Sequence, residues 1–127
     1  MSEQEVKEKL KENRIEDFIW VIYLGIIILS YYSNTLEDKY FKNNDLVARE
    51  KYRHIMIFIF SILVVVYLYF LYESYKDIKK LKESDSTHKK TLVYLSFIGS
   101  LFIVLSGLIF LYVAYNDEDL SVEIAFN

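Results

Sequence analysis

Hydrophobic residues along this chain are gathered into three blocks, and charged residues lie almost entirely between and outside them. The blocks cover residues 18–32, 55–72 and 92–115. With its flanks, each block reaches roughly 20 residues, which as an α-helix rising about 1.5 Å per residue matches a bilayer hydrocarbon core of about 30 Å. None has the polar face that a surface helix of a soluble protein carries. The pattern therefore predicts three transmembrane helices.

The composition fits this segregation of apolar from charged residues. The chain has 127 residues, of which 54% are hydrophobic although 26% are charged. A soluble domain of this size cannot bury three helices that are apolar all round, because its core is too small relative to its surface. We therefore expect an all-α membrane protein. Its three transmembrane helices are predicted to form a helical hairpin bundle, to extend beyond the bilayer and to assemble as a homo-oligomer.

Local capping signals predict where the helices begin and end. Ser2 followed by Glu5 has the capping-box spacing, and no turn signal occurs before residues 43–45. The first helix is therefore predicted from residue 3 to about residue 41. Asp45 is placed to cap a second helix over residues 46–83, and residues 84–87 are expected to end that helix and to cap the third.

These signals divide the chain into seven predicted segments. They are a cytosolic amphipathic helical segment (1–15), transmembrane helix 1 (16–36), an outer connection (37–53), transmembrane helix 2 (54–75), a basic cytosolic hairpin (76–90), transmembrane helix 3 (91–115) and an acidic outer tail (116–127). In the tail, the alternation of Val122, Ile124 and Phe126 fits a short strand or a frayed end. Residues 30–33 lack the small residues of a signal cleavage site, so the first span is expected to remain as an anchor.

The distribution of Lys and Arg predicts how the helices are oriented. Ten of the fifteen lie in the N-terminal segment or in the second connection, and five lie in the first connection. Because cytoplasmic flanks carry the excess of positive charge, we expect the N-terminus inside and the C-terminus outside. Abundant Ile, Lys, Tyr and Asn are typical of AT-rich bacterial genomes, and we expect a multi-pass protein of the bacterial cytoplasmic membrane.

Small residues interrupt the third predicted span. They are Ser96, Gly99, Ser100, Ser106, Gly107 and Ala114. Several of them recur at a spacing of seven residues, which is nearly two helical turns, so they share one side of the helix. Such a face allows close helix packing, or it lines an aqueous pathway through the membrane. Three helices cannot enclose a pore, so the second hypothesis requires a homo-oligomer.

Two acidic residues lie at the predicted inner boundary of the first span. Glu16 and Asp17 immediately precede the apolar block. A carboxylate at this depth costs free energy unless it is paired or hydrated, and Lys89 and Lys90 lie at the same predicted depth. We expect the acids to pair with these lysines. The alternative is that they form a cation-selective ring at the inner mouth of a pore.

The second connection carries a cluster of lysines. They are Lys76, Lys79, Lys80, Lys82, Lys89 and Lys90. Such a cluster next to a membrane usually contacts anionic lipid headgroups, and it could equally attract an anionic cytosolic ligand or a protein partner. The sequence has no Gly-rich phosphate loop beside it and no sequence-specific nucleic-acid motif.

Sequence motifs for catalysis are missing. The chain has no Cys, and it has neither a nucleophile elbow nor a His-Glu-x-x-His zinc motif. His54 and His88 have no metal-ligand partner at useful spacing, and we expect neither a metal nor a cofactor. No pair of carboxylates lies deep within one span, as an ion relay requires. The sequence therefore predicts a protein that is not an enzyme.

The general build resembles that of holins, bacteriocin immunity proteins and the small membrane effectors of bacterial anti-phage operons. The likeness covers size and hydropathy, and it implies no functional residues. Our leading hypothesis is a homo-oligomer that forms or gates an ion-permeable pore. The main rival is a non-conducting accessory or immunity-type protein that docks a larger partner. A third hypothesis is an anchor that recruits a cytosolic protein through residues 2–15 and 73–90.

Overall fold

Three long helices account for most of the chain. The structure, a computed structural model, describes residues 1–124. Helix α1 spans Glu3–Asn43, α2 spans Leu46–Lys79 and α3 spans Thr87–Asn116, and the described part of the chain contains no strand. Each helix is long and apolar enough to cross a membrane. The prediction of an all-helical chain with three helices of transmembrane length is confirmed.

The helices begin at the residues that the capping signals predict. The Ser2 hydroxyl accepts a hydrogen bond from the backbone N–H of Glu5 at 3.2 Å. The Asp45 carboxylate accepts from the N–H of Val47 and of Ala48, both at 3.1 Å, and the Ser86 hydroxyl accepts from a backbone N–H in the same way. Each cap satisfies N–H groups that have no partner in the first turn of a helix.

Helix α2 ends earlier than predicted, at Lys79 instead of residue 83. The Asp85 carboxylate accepts a hydrogen bond from the backbone N–H of Lys82 at 2.8 Å, and the N–H of Asp85 donates back to the carbonyl of Lys82 at 3.0 Å. This reciprocal pair closes a turn that is incompatible with a continued helix. The predicted end is therefore wrong because a side chain two residues beyond it competes for the backbone.

Helix α2 lies between the other two helices. It packs against α1 and against α3, whereas no Cα atom of α1 lies within 8 Å of one in α3. The buried cluster is centred on Met56, Ile59 and Phe60 of α2. The outward surfaces of α1 and α3 expose large apolar side chains such as Trp20 and Phe102. Such surfaces fit a lipid environment.

The two ends of the molecule differ in composition. We call the end that holds the N-terminus and the α2–α3 turn, residues 80–86, the lysine end. The opposite end, which holds the α1–α2 turn and residues 117–124, is the tail end. Residues 117–124 fold back, so that Ile124 is buried. The short strand or frayed end was predicted over residues 121–127; residues 121–124 contain no strand, and Phe126 lies outside the described residues.

Candidate functional site

A polar groove lies at the lysine end, between α1 and α3 and above α2. It is an open cavity of about 390 Å³. Its lining consists mostly of carboxylates, hydroxyls and aromatic rings: Lys9, Glu12, Glu16, Tyr23, Tyr67, Phe70, Glu73, Ser74, Asp77, Ser96, Ser100 and Ile103. The groove exists because α1 and α3 both pack on α2, while their own Cα atoms stay more than 8 Å apart.

Carboxylates dominate the charge of the polar groove. Glu12 lies 3.8 Å from the ammonium of Lys9, and Glu73 lies 3.2 Å from the ammonium of Lys76. Hydrogen bonding to Glu73 raises the pKa of Lys76 above its ordinary value. The two remaining acids of the lining are Glu16 and Asp77, and neither forms an ion pair within the described residues. The lining has four carboxylates and one lysine, Lys9, so it keeps a negative charge even though Lys76 lies beside Glu73.

Hydroxyl groups line the deeper part of the groove. The hydroxyl of Ser74, a buried residue of α2, donates to the carbonyl of Phe70 at 2.9 Å. It also lies 2.9 Å from the hydroxyl of Ser100 on α3, within hydrogen-bonding distance. Tyr23 and Tyr67 lie deeper still and pack against the apolar cluster. Polar lining thus continues from the charged segment into the apolar helices.

The structure divides the small residues of α3 into two groups. Ser100, Gly107 and Ala114 face α2, and a Cβ atom added at Gly107 meets side-chain atoms of Tyr67 at 3.2 Å and of Val64 at 3.3 Å. This group serves helix packing within the chain. The other group comprises Ser96, Gly99 and Ser106, and all three are exposed.

The exposed small residues border the polar groove. Ser96 lines it directly. Successive residues of an α-helix are turned by about 100° around its axis. Measured from Gly107 around α3, Ile103 therefore lies at about 40°, Gly99 at about 80° and Ser106 at about 100°, all in the same direction. Ile103 also lines the groove, so Gly99 and Ser106 lie on the same flank. A Cβ atom added at Gly99 meets nothing within 4 Å, which shows how open this border is.

The neighbouring acids Glu16 and Asp17 have different surroundings. Glu16 is half-buried and lines the groove. The side chain of Asp17 is 64% exposed and lies 3.5 Å from Arg14 of the same helix. Because consecutive residues point about 100° apart on a helix, only Glu16 faces the groove.

The predicted pairing of these acids with the lysines of α3 is wrong. Lys89 instead lies 3.4 Å from Asp85 in its own turn, and the ammonium of Lys90 donates to the carbonyl of Glu83 at 3.3 Å. The groove separates α1 from α3 at this end, so local partners are nearer than those on α1.

Most members of the lysine cluster already have partners. Lys80 lies 3.8 Å from Glu8 of α1, and Lys76 and Lys89 pair with acids as described above. The ammonium of Lys79 lies 4.7 Å from the centre of the Tyr75 ring, a cation–π contact. An anionic ligand at this turn has to compete with these partners, and Lys82 has none among the described ion pairs.

Sequence reasoning missed Glu12, Glu73, Ser74 and Asp77 as groove residues. The signal was present, because the lining residues of α1 are spaced by three, four and seven positions, and those of α2 by three or four. This is the spacing of one helix face. The face was overlooked because its acids fall in the charged flanks, whereas its hydroxyls fall in the spans.

The groove offers no evident metal centre. Within residues 1–124, no three His, Asp or Glu side chains are grouped closely enough to hold a metal ion. Carboxylates at the mouth can attract a cation, and the hydroxyls beyond them can coordinate it through their oxygen atoms or form hydrogen bonds with its hydration water.

Comparison with known proteins adds no relative from which a function could be transferred. No family model matches the chain, and no curated protein or solved structure matches it significantly.

Proposed function

We propose that this protein is a multi-pass membrane protein whose homo-oligomer forms an ion-permeable pathway, with the polar groove as its inner mouth. The observation that carries the proposal is the continuation of carboxylates and hydroxyls from the charged flanks into helices that are otherwise apolar. The proposed orientation places the lysine end in the cytosol, because the distribution of Lys and Arg predicts that orientation.

The cost of polar groups in lipid supports assembly. The groove is an open cavity between α1 and α3. A hydroxyl or carboxylate that faces lipid tails without a partner costs free energy. A second copy that covers the open side leaves water on the polar lining and keeps lipid out. The groove thereby becomes a path between subunits.

The charge of the groove favours cations. Glu16 and Asp77 have no ion-pair partner among the described residues. Glu12 and Glu73 each form an ion pair with one lysine. Low-dielectric walls strengthen the field of such carboxylates, which raises the local concentration of cations and lowers that of anions.

Residues 1–124 of a single chain enclose no continuous pathway. Beyond Tyr23 and Tyr67, the space between the helices is filled by the apolar cluster that includes Ile26 and Leu63. The exposed border of α3, at Gly99 and Ser106, is therefore the surface along which a path continues toward the tail end. Small side chains there leave room for water, whereas Leu or Phe favours a dewetted constriction.

The exposed border also supports a second candidate function. Gly99 and Ser106 are small and uncovered, and such positions let two transmembrane helices approach closely. A non-conducting accessory or immunity-type protein can use the same border to dock a larger membrane partner. That function needs no aqueous path and gives the acids of the groove no role.

Substitutions at Ser106 separate the two functions in purified protein reconstituted into planar bilayers. If the border lines a pathway, Ser106→Leu should abolish the current and leave the oligomer intact, as judged by cross-linking. Ser106→Cys should conduct and be blocked by a water-soluble thiol reagent. The block would be specific to this position, because the chain has no other Cys. A wild-type protein that neither assembles nor conducts would favour the accessory function.

A further inference from the structure

The chain beyond α3 is folded into a defined segment, residues 117–124, which we call the tail strap. The Asp117 carboxylate accepts hydrogen bonds from the N–H of Ser121 at 3.1 Å, from its hydroxyl at 3.0 Å and from the N–H of Val122 at 2.9 Å. Leu120 has a φ of 54°, a left-handed conformation that is uncommon for a residue other than Gly. These features reverse the chain at the end of α3.

The tail strap lies between α1 and α3, whose backbones are not in close contact. Ile124 is only 7% exposed and belongs to the buried cluster that contains Leu36 of α1 and Ala114 of α3. Because no Cα atoms of α1 and α3 lie within 8 Å of each other, the strap fills the gap between them at the tail end. At the lysine end the same gap is the open polar groove.

The polar attachments of the tail strap are few and weak. Arg49 lies 3.8 Å from Asp119, whose side chain is 78% exposed, and exposed ion pairs of this kind contribute little to stability. Arg53 donates to the carbonyl of Tyr115 at 3.0 Å, which holds the end of α3 and not the strap itself. The attachment therefore depends mainly on the burial of Ile124.

Acidic groups oppose this attachment. Glu37 of α1 lies in the same small cavity as Leu120, Val122 and Ile124. Burial raises the pKa of Glu37, a hydrogen bond from Tyr52 lowers it in part, and the nearby Glu123 of the strap raises it. Docking thus brings one carboxylate toward another and removes part of the water around the first.

We propose that the tail strap is a releasable latch that closes the gap between α1 and α3 at the tail end, with Ile124 as its anchor. Ile124 is the buried side chain that holds it, and Leu120 packs partly buried against the same cluster. The carboxylates of Glu37 and Glu123 repel each other. In the oligomer, release of the latch opens the tail end of the path that runs from the polar groove along the exposed border of α3, so the docked strap keeps that end closed. The gating role rests on the proposed function, whereas the latch itself does not.

Distances between spin labels test the latch directly. Labels on Asn34→Cys in α1 and Glu118→Cys in the strap, in purified full-length protein, should give one narrow distance distribution. Adding Ile124→Ser should broaden and lengthen it. Val122→Ser is the matched control, because Val122 is an apolar strap residue that is 55% exposed, and it should leave the distribution narrow. A distribution that stays narrow with Ile124→Ser, or that is broad in the unmodified strap, would overturn the latch.

Currents in planar bilayers test the gating role separately. Ile124→Ser should raise the open probability several-fold over the wild type, and Val122→Ser should leave it unchanged. If the labels report release but neither variant conducts, the latch stands while the gating role and the proposed function both fail. If the wild type conducts and Ile124→Ser does not increase the current, the gating role alone fails.

Discussion

The tail end and the lysine end are formed by the same three helices, but the gap between α1 and α3 is filled at the tail end and open at the lysine end. At the tail end, Leu36, Met56 and Ala114 join Ile124 in a buried cluster, and the gap between α1 and α3 is filled. At the lysine end, the gap is an open groove that displays Glu16 and other acids. The fold alone therefore does not determine whether this gap is open.

The difference follows from which side chains face the gap. Apolar side chains gain free energy when they fill it and exclude water. A carboxylate moved away from water without a counter-charge loses far more than packing returns, so an acid-lined gap stays where water can reach it. The groove is open because its lining is rich in acids that stay near water. The tail end is closed because apolar residues such as Leu36, Met56 and Ile124 fill it, although Glu37 lines the small cavity that remains.

Membrane orientation is the prediction with the largest expected effect, because labelling at the two ends is all or none. In intact cells, a thiol reagent that cannot cross the membrane should label Glu118→Cys at the tail end and leave Ser84→Cys at the lysine end unlabelled. Both residues are exposed, and the chain has no native Cys to interfere. The reverse pattern would place the acidic groove outside the cytosol and contradict the charge argument.

Packing between α2 and α3 provides the next largest effect. Gly107→Leu should destabilise the chain by about 1–3 kcal/mol, because the new side chain has to displace Tyr67 and Val64. Gly99→Leu makes the same chemical change where an added Cβ meets nothing within 4 Å. It should leave the stability of the monomer nearly unchanged. Thermal unfolding in mild detergent measures both, and equal destabilisation would contradict the division of the small residues into two groups.

The two ends should respond to acid in opposite directions. Burial, with Glu123 and Asp38 nearby, raises the pKa of Glu37 above 4.5, although a hydrogen bond from Tyr52 lowers it. The tail strap should therefore dock more tightly as the pH falls through the raised pKa of Glu37, and this gain should be complete below about pH 4.5. Arg53 and Asp117 line the same cavity as Glu37.

At the lysine end, the backbone N–H of Lys82 and the ammonium of Lys89 lower the pKa of Asp85 below 3.8. The α2–α3 turn should therefore keep its full stability above that pH and lose it as the pH falls through the lowered pKa. Amide hydrogen exchange against pH would follow both ends at once. Glu37→Gln should flatten the response of the strap only, and Asp85→Asn that of the turn only. One shared response would show that the ends are coupled.

The helix starts could be predicted because each depends on a residue next to it in sequence. Ser2, Asp45 and Ser86 satisfy the first N–H groups of their own helices, so no knowledge of the rest of the fold was needed. The end of α2 could not be predicted in this way, because it depends on how the Asp85 side chain folds back on the turn.

The groove and the tail strap could not be predicted for a related reason. Lys89 and Lys90 were expected to pair with Glu16 and Asp17 because they lie at the same predicted depth in the membrane. Pairing also depends on how far apart α1 and α3 lie. Burial of Ile124 likewise requires the gap that those helices leave at the tail end. Hydrophobic periodicity identifies a face that will be covered but not the element that covers it.

The polar groove, which we propose as the mouth of a cation pathway, can be tested most directly through the neighbouring acids Glu16 and Asp17. Only Glu16 faces the groove, while Asp17 is exposed beside Arg14. Reversal potentials under a salt gradient, measured in planar bilayers, report the preference for cations over anions. Glu16→Gln should reduce that preference, and Asp17→Asn, which removes the same charge one residue away, should leave it unchanged. Equal shifts for the two variants, or a wild-type current without cation preference, would contradict the account.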